Sequence, residues 1–172
     1  MRSVISVFLV LATLAALSVC LILTIGPERV WNAFGPADLG QISFETLKRR
    51  STPNDALACP AHLCQAESDF VPPLFATTAR DLRTAMAKVI ASEQRIVRVD
   101  NNDAELTERY IQRSKLMGFP DTIVIRYLDE GAGRSTLAMY SRSQLGRSDL
   151  GVNKARLERW LAKLKMLAPV AR

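Results

Sequence analysis

The chain is poor in the residue types that most often carry chemistry. Its 172 residues include one histidine, His62, and three cysteines. A lone histidine leaves any Ser-His-Asp set dependent on a residue far in sequence from Asp121 and Asp149. There is no G-x-S-x-G elbow, P-loop, G-x-G-x-x-G or H-E-x-x-H. No internal repeat or low-complexity stretch is visible. Only one apolar run is long, which excludes a polytopic membrane protein. What is present is 48% apolar residues and a net charge of +6, too apolar for a disordered chain. The length suits one modest domain plus an additional element.

The long run is Val4 to Ile25, 22 residues without a charge, 18 of them apolar. At about 1.5 Å per residue it matches the roughly 30 Å hydrocarbon core of a bilayer. A cleaved signal would be shorter and end in small residues, whereas Leu21-Ile22-Leu23-Thr24-Ile25 is bulky. A lipid-modified Cys20 is disfavoured by Val19 before it. The run is therefore read as a single transmembrane anchor, with Cys20 as a small apolar residue inside it. Arg2 and the terminal amine on one side, against Arg29 on the other, orient the amino end inward. The expected place is a bacterial inner membrane, with the domain on the periplasmic side.

Three parts are read from the composition: an anchor over residues 1–26, a tether over 27–58 and an α+β domain over 59–172. Gly35-Pro36, Gly40 and Pro53-Asn54-Asp55 punctuate the tether, and Phe44 and Leu47 are candidates to dock on the domain. Its Lys48-Arg49-Arg50 run reads as solvated, with a contact to anionic lipid as the alternative. Residues 69–77 read as an edge strand or extended lead-in because of Pro72-Pro73. Leu82, Ala85, Met86, Val89 and Ile90 predict an amphipathic helix after Thr77 or Thr78. Four strand-like runs follow, over 95–100, 105–117, 122–128 and 135–143, joined by short turns. Leu157, Trp160, Leu161, Leu164 and Leu167 predict a last helix, with Asn153 at its N-cap and Pro169 after its end. The fold class is then α+β: an antiparallel sheet of about four strands with two amphipathic helices on one face, preceded by a transmembrane helix.

The densest polar segment runs from Ser141 to Asn153, between the last strand and the last helix. Arg142, Ser143, Arg147, Ser148, Asp149, Asn153 and Arg156 are the candidate ligand-binding residues. Guanidinium groups beside a helix start suit a phosphate or carboxylate. The competing reading is a hydrogen-bonded connection, with Asp149 pairing an arginine and satisfying loop amides. Charge supports a basic end: 134–172 carries 9 basic and 2 acidic residues, while 27–133 carries 13 basic and 15 acidic. Such a basic end outside the cell points to an anionic lipid or acidic envelope partner and not to nucleic acid. Cys59 and Cys64, with His62 between them, are read as a disulfide ahead of free thiols or a metal site, because no fourth soft ligand exists. No cofactor and no metal are expected.

The segment from Ser141 to Arg156 resembles the carboxy-terminal signature of the domain of unknown function 1499 family. Phe119-Pro120-Asp121, preceded by Ser114-Lys115-Leu116, is similar to that family's middle signature, though it is less acidic than the family's usual version. The resemblance spans about Ala56 to Leu167. It implies a compact α+β domain, often membrane-attached or exported, and no established activity. The reading is thus a non-catalytic binding or envelope-associated module for an anionic ligand or partner. The alternative is a hydrolase- or isomerase-type enzyme using Asp121 or Asp149, with arginines stabilising charge.

Overall fold

The structure, a computed structural model, describes residues 2–171, and the side chains of all of these except residues 2–4, 22, 23, 25, 27 and 28. Two helices come first, α1 (Arg2–Ile25) and α2 (Pro27–Asn32). They are followed by β1 (Asp55–Ala58), α3 (Ala79–Ala91), β2 (Ile96–Asn102), β3 (Thr107–Arg113), β4 (Pro120–Asp129), β5 (Ser135–Ser143) and α4 (Val152–Leu167).

The fold class needs two corrections. The sheet has five antiparallel strands, in the order β1-β5-β4-β3-β2, where about four were expected. The extra strand is β1, four residues between Pro53 and Pro60 that pair with the end of β5. It is too short to show alternation, so only its non-local partner identifies it. The second correction concerns the apolar run. Among the described residues no helix is long and apolar enough to cross a membrane. The unbroken stretch of α1 with described side chains, residues 5–21, has 17 residues. The charge at Arg2 that set the expected orientation lies outside the described side chains, and Arg172 of the basic end lies outside the described residues.

Both domain helices pack on one sheet face. In α3 the stripe Leu82, Met86, Val89 and Ile90 is buried, and Thr78 caps the helix by accepting from the Asp81 amide at 3.2 Å. In α4, Leu157, Trp160, Leu161 and Leu164 are buried against Ile123, Ile125, Leu137 and Met139 of the central strands. The run 69–77 is an extended lead-in tied by single bridges, Phe70 to Ala58 and Phe75 to Ser135 and Val170.

The other sheet face is covered without regular structure. Phe44 is 1% exposed and packs with Leu57, Val124, Ala138 and Tyr140, with Ile42 and Leu47 at the margin. Arg49 pairs with Asp55 and Asp69, both at 2.9 Å, and Arg50 donates to the Ser143 carbonyl at 2.6 Å. Arg49 and Arg50 of the basic run are therefore engaged with the domain, while Lys48 is exposed.

Candidate functional site

Sheet register builds a polar row under the start of α4. Gln112 of β3 lies opposite Asp121 of β4, and Asp121 lies opposite Ser143 of β5. Opposite residues share a face, and Ser141, two positions before Ser143, joins them. From the helix, Asn153 and Arg156 are three apart and point to the same side.

Arg156 is the hub of this row. Its Nη2 donates to Asp121 Oδ2 at 2.5 Å and its Nε to Gln112 Oε1 at 2.6 Å. Its Nη1 donates to Ser141 Oγ at 2.8 Å and to Asn153 Oδ1 at 2.5 Å. Asn153 Nδ2 donates to Ser143 Oγ at 3.0 Å. The ion pair is deeply placed, with side-chain exposures of 5% for Arg156 and 7% for Asp121. Two such charges are tolerated inside because nearly every donor is matched.

The helix start is closed by its own loop. Gly151 is the N-cap, at φ 80, a conformation that favours glycine. Asp149 Oδ1 accepts from the Gly151 amide at 3.0 Å and Oδ2 from the Asn153 amide at 2.8 Å. Asn153 is therefore a buried helical residue, where an N-cap was expected. The amides that an anion would seek are already held by Asp149.

The seven residues singled out from the sequence do not form one surface. Ser143, Asn153 and Arg156 meet in the buried row, with Asp121. Asp149 and Ser148 shape the loop, Ser148 Oγ accepting from the Leu150 amide at 3.2 Å. Arg147 is exposed and makes no ion pair among the described residues. Arg142 points through the opposite sheet face, donating to the Leu39 and Gly40 carbonyls at 2.6 and 2.8 Å. Burial lowers its pKa from the usual arginine value.

Two openings flank the Asp121–Arg156 pair. One is a cleft of about 300 Å³ walled by Phe119, Pro120, Leu145, Leu150 and Val152, with Asp121 and Ser143 in its lining. Asp121 Oδ1 accepts no hydrogen bond among the described residues. The other is a cavity of about 390 Å³ lined by Arg95, Arg113, Lys115, Arg156 and Arg159, with a single carboxylate, Glu93. Glu93 is already held by Lys163 at 2.7 Å and Arg159 at 3.1 Å. Burial alone would raise its pKa, but these donors outweigh burial and lower it to about 2.

Four of those five cations escaped sequence reasoning. Arg95 and Arg113 meet because β2 and β3 pair, with the Arg113 amide donating to the Arg95 carbonyl at 2.9 Å. Arg159 arrives from α4. These residues are spread over three segments, and a linear charge count does not reveal them.

Cys59 and Cys64 form a disulfide, as the sequence suggested, and Cys59 is buried on the second sheet face. His62 Nε2 lies 3.0 Å from Glu130 Oε1. Among the described residues no group of three His, Cys, Asp or Glu side chains is placed to hold a metal ion.

No curated protein matches the chain closely enough to count as a relative. A family model described as "Protein of unknown function (DUF1499)" matches residues 46–164. That span runs from just before β1 to near the end of α4. It holds the buried row, the lining of both openings and the disulfide, and the chain belongs to the DUF1499 family.

Proposed function

We propose that this domain is a binding module for an anionic ligand, seated in the basic cavity beside Arg156. The observation that carries the reading is the charge of the lining: Arg95 and Lys115 make no ion pair among the described residues, Arg156 and Arg159 stand beside them, and the single carboxylate, Glu93, is also held by Lys163 from outside the cavity. Gln112, Ser141, Asn153 and Asp121 take four of the five Arg156 N–H groups, so Arg156 brings a fixed charge and a single remaining N–H to the cavity. Arginines offer forked donors that match phosphate and carboxylate oxygens. The module is non-catalytic in this reading. Both oxygens of Asp149 are engaged by backbone amides, and Asp121 faces Arg156, which gives the hydrolase or isomerase alternative less support. The Cys59–Cys64 disulfide supports an oxidising compartment such as the periplasm as the place of work.

The test is titration of the full chain with inorganic phosphate, followed by nitrogen-15 NMR. Saturable shifts at Arg95, Lys115 and Arg159 are expected. Combining Arg95→Glu with Lys115→Glu, both at exposed positions, should weaken binding about tenfold or more. Arg147→Glu should leave it unchanged. Binding that ignores the double variant, or no saturable binding, overturns the reading.

A further inference from the structure

We infer that the ligand is an anionic amphiphile, with its head in the basic cavity and an alkyl part in the adjoining cleft. This rests on the anion-binding reading above and adds a second subsite to it. The two openings share a wall: Val152 lines both, and the Asp121–Arg156 pair presents one member to each. Each volume is at the lower end of small-molecule sites, roughly 300–1,000 Å³.

The walls of the cleft are large apolar side chains left in water. Leu150 is 93% exposed, Val152 50% and Phe119 38%. An alkyl chain laid along them removes that apolar surface from water, and a polar ligand does not. The charge pattern sets the direction. The open oxygen of Asp121 repels an anionic head from the cleft, while Arg95, Lys115, Arg156 and Arg159 attract it on the other side of Val152. Asp121 Oδ1 then accepts from a hydroxyl or amide N–H next to the head. Trp31 stands behind this wall, its ring 4.4 Å from that of Phe119 and its indole N–H donating to the Met117 carbonyl at 2.6 Å. Its fluorescence reports on the cleft.

The experiment uses the full chain with three probes: inorganic phosphate, hexyl phosphate below its micelle concentration, and hexan-1-ol. Hexyl phosphate should bind about tenfold or more tightly than inorganic phosphate. It should shift Trp31 emission where inorganic phosphate does not, and hexan-1-ol should bind more weakly than hexyl phosphate. Leu150→Asn and Phe119→Ser change exposed residues that line the cleft and not the basic cavity, and asparagine tolerates the left-handed backbone of Leu150, at φ 54. Together they should remove the advantage of hexyl phosphate and leave inorganic phosphate unaffected. Equal affinities for the two phosphates, or an advantage that survives both substitutions, overturn the second subsite alone. Failure of inorganic phosphate to bind overturns the basic cavity and this inference with it.

Discussion

Strand β3 carries a buried polar cluster at each end, and the two are built differently. Near its start, Glu108 is 2% exposed and accepts four hydrogen bonds. Arg83 and Arg98 donate to one oxygen at 3.2 Å each, and the Tyr110 and Tyr127 hydroxyls donate to the other at 2.9 and 3.0 Å. Burial, then the Glu108 charge, pushes both phenols above the usual tyrosine range. Near the other end, Gln112 supports the Asp121–Arg156 pair, yet one Asp121 oxygen faces a cleft and Arg156 lines a cavity. A closed cluster pins elements together. A cluster that keeps an acceptor and a cation at open surfaces can also meet a ligand.

The largest expected effect breaks both clusters. Asp121→Ala leaves the buried Arg156 without its carboxylate and should cost about 3–5 kcal/mol in urea unfolding, and Glu108→Ala, which strands the Tyr110 and Tyr127 hydroxyls while Arg83 keeps Asp103, should cost about 2–3 kcal/mol. Phosphate titration separates them: the Asp121 variant frees Arg156 to move and should alter binding, while the Glu108 variant should not. An equal change in phosphate affinity for both would erase the distinction between a pin and a site.

Next in size is the link on the far face. Replacing Cys59 and Cys64 with serine opens a short loop and should cost about 2 kcal/mol, with phosphate affinity unchanged. Chemical denaturation with and without reductant checks it.

A smaller effect comes from Glu93, whose pKa is lowered from 4.5 to about 2 in the fold. Its ionised form is the one the fold favours. The stability it supplies is complete above about pH 4.5 and is lost as the pH falls toward 2. Glu93→Gln should flatten the unfolding midpoint across that window. A midpoint with the same pH slope in both proteins would remove Glu93 from the account. Smallest is Arg147→Glu, an exposed change that should shift stability by no more than about 0.5 kcal/mol.

Much of the architecture was readable because it is local. The stripes of α3 and α4 and the whole of β5 follow from spacing that each segment carries by itself. The candidate site was half readable. Ser141, Ser143, Asn153 and Arg156 were visible as polar residues around one connection. Strand alternation places Arg142 on the face opposite the two serines, a signal present in the sequence and outweighed by the density of polar residues. Residues 27–58 read as a tether because they lack periodicity, and Phe44 and Leu47, its candidates to dock, do pack on the second sheet face.

By itself the sequence determined the α+β class, the two domain helices, the close cysteine pair and the polar connection into α4. These depend on residue type and short spacing. Only the tertiary structure decided that β1 closes the sheet edge, that Asp121 meets Arg156 and that Arg95, Lys115 and Arg159 surround one cavity. It also decided that, among the described residues, no helix is long and apolar enough to cross a membrane. Strand register and helix docking bring together side chains far apart along the chain. Charge and burial at such places are properties of the packed neighbours, and no single segment holds them.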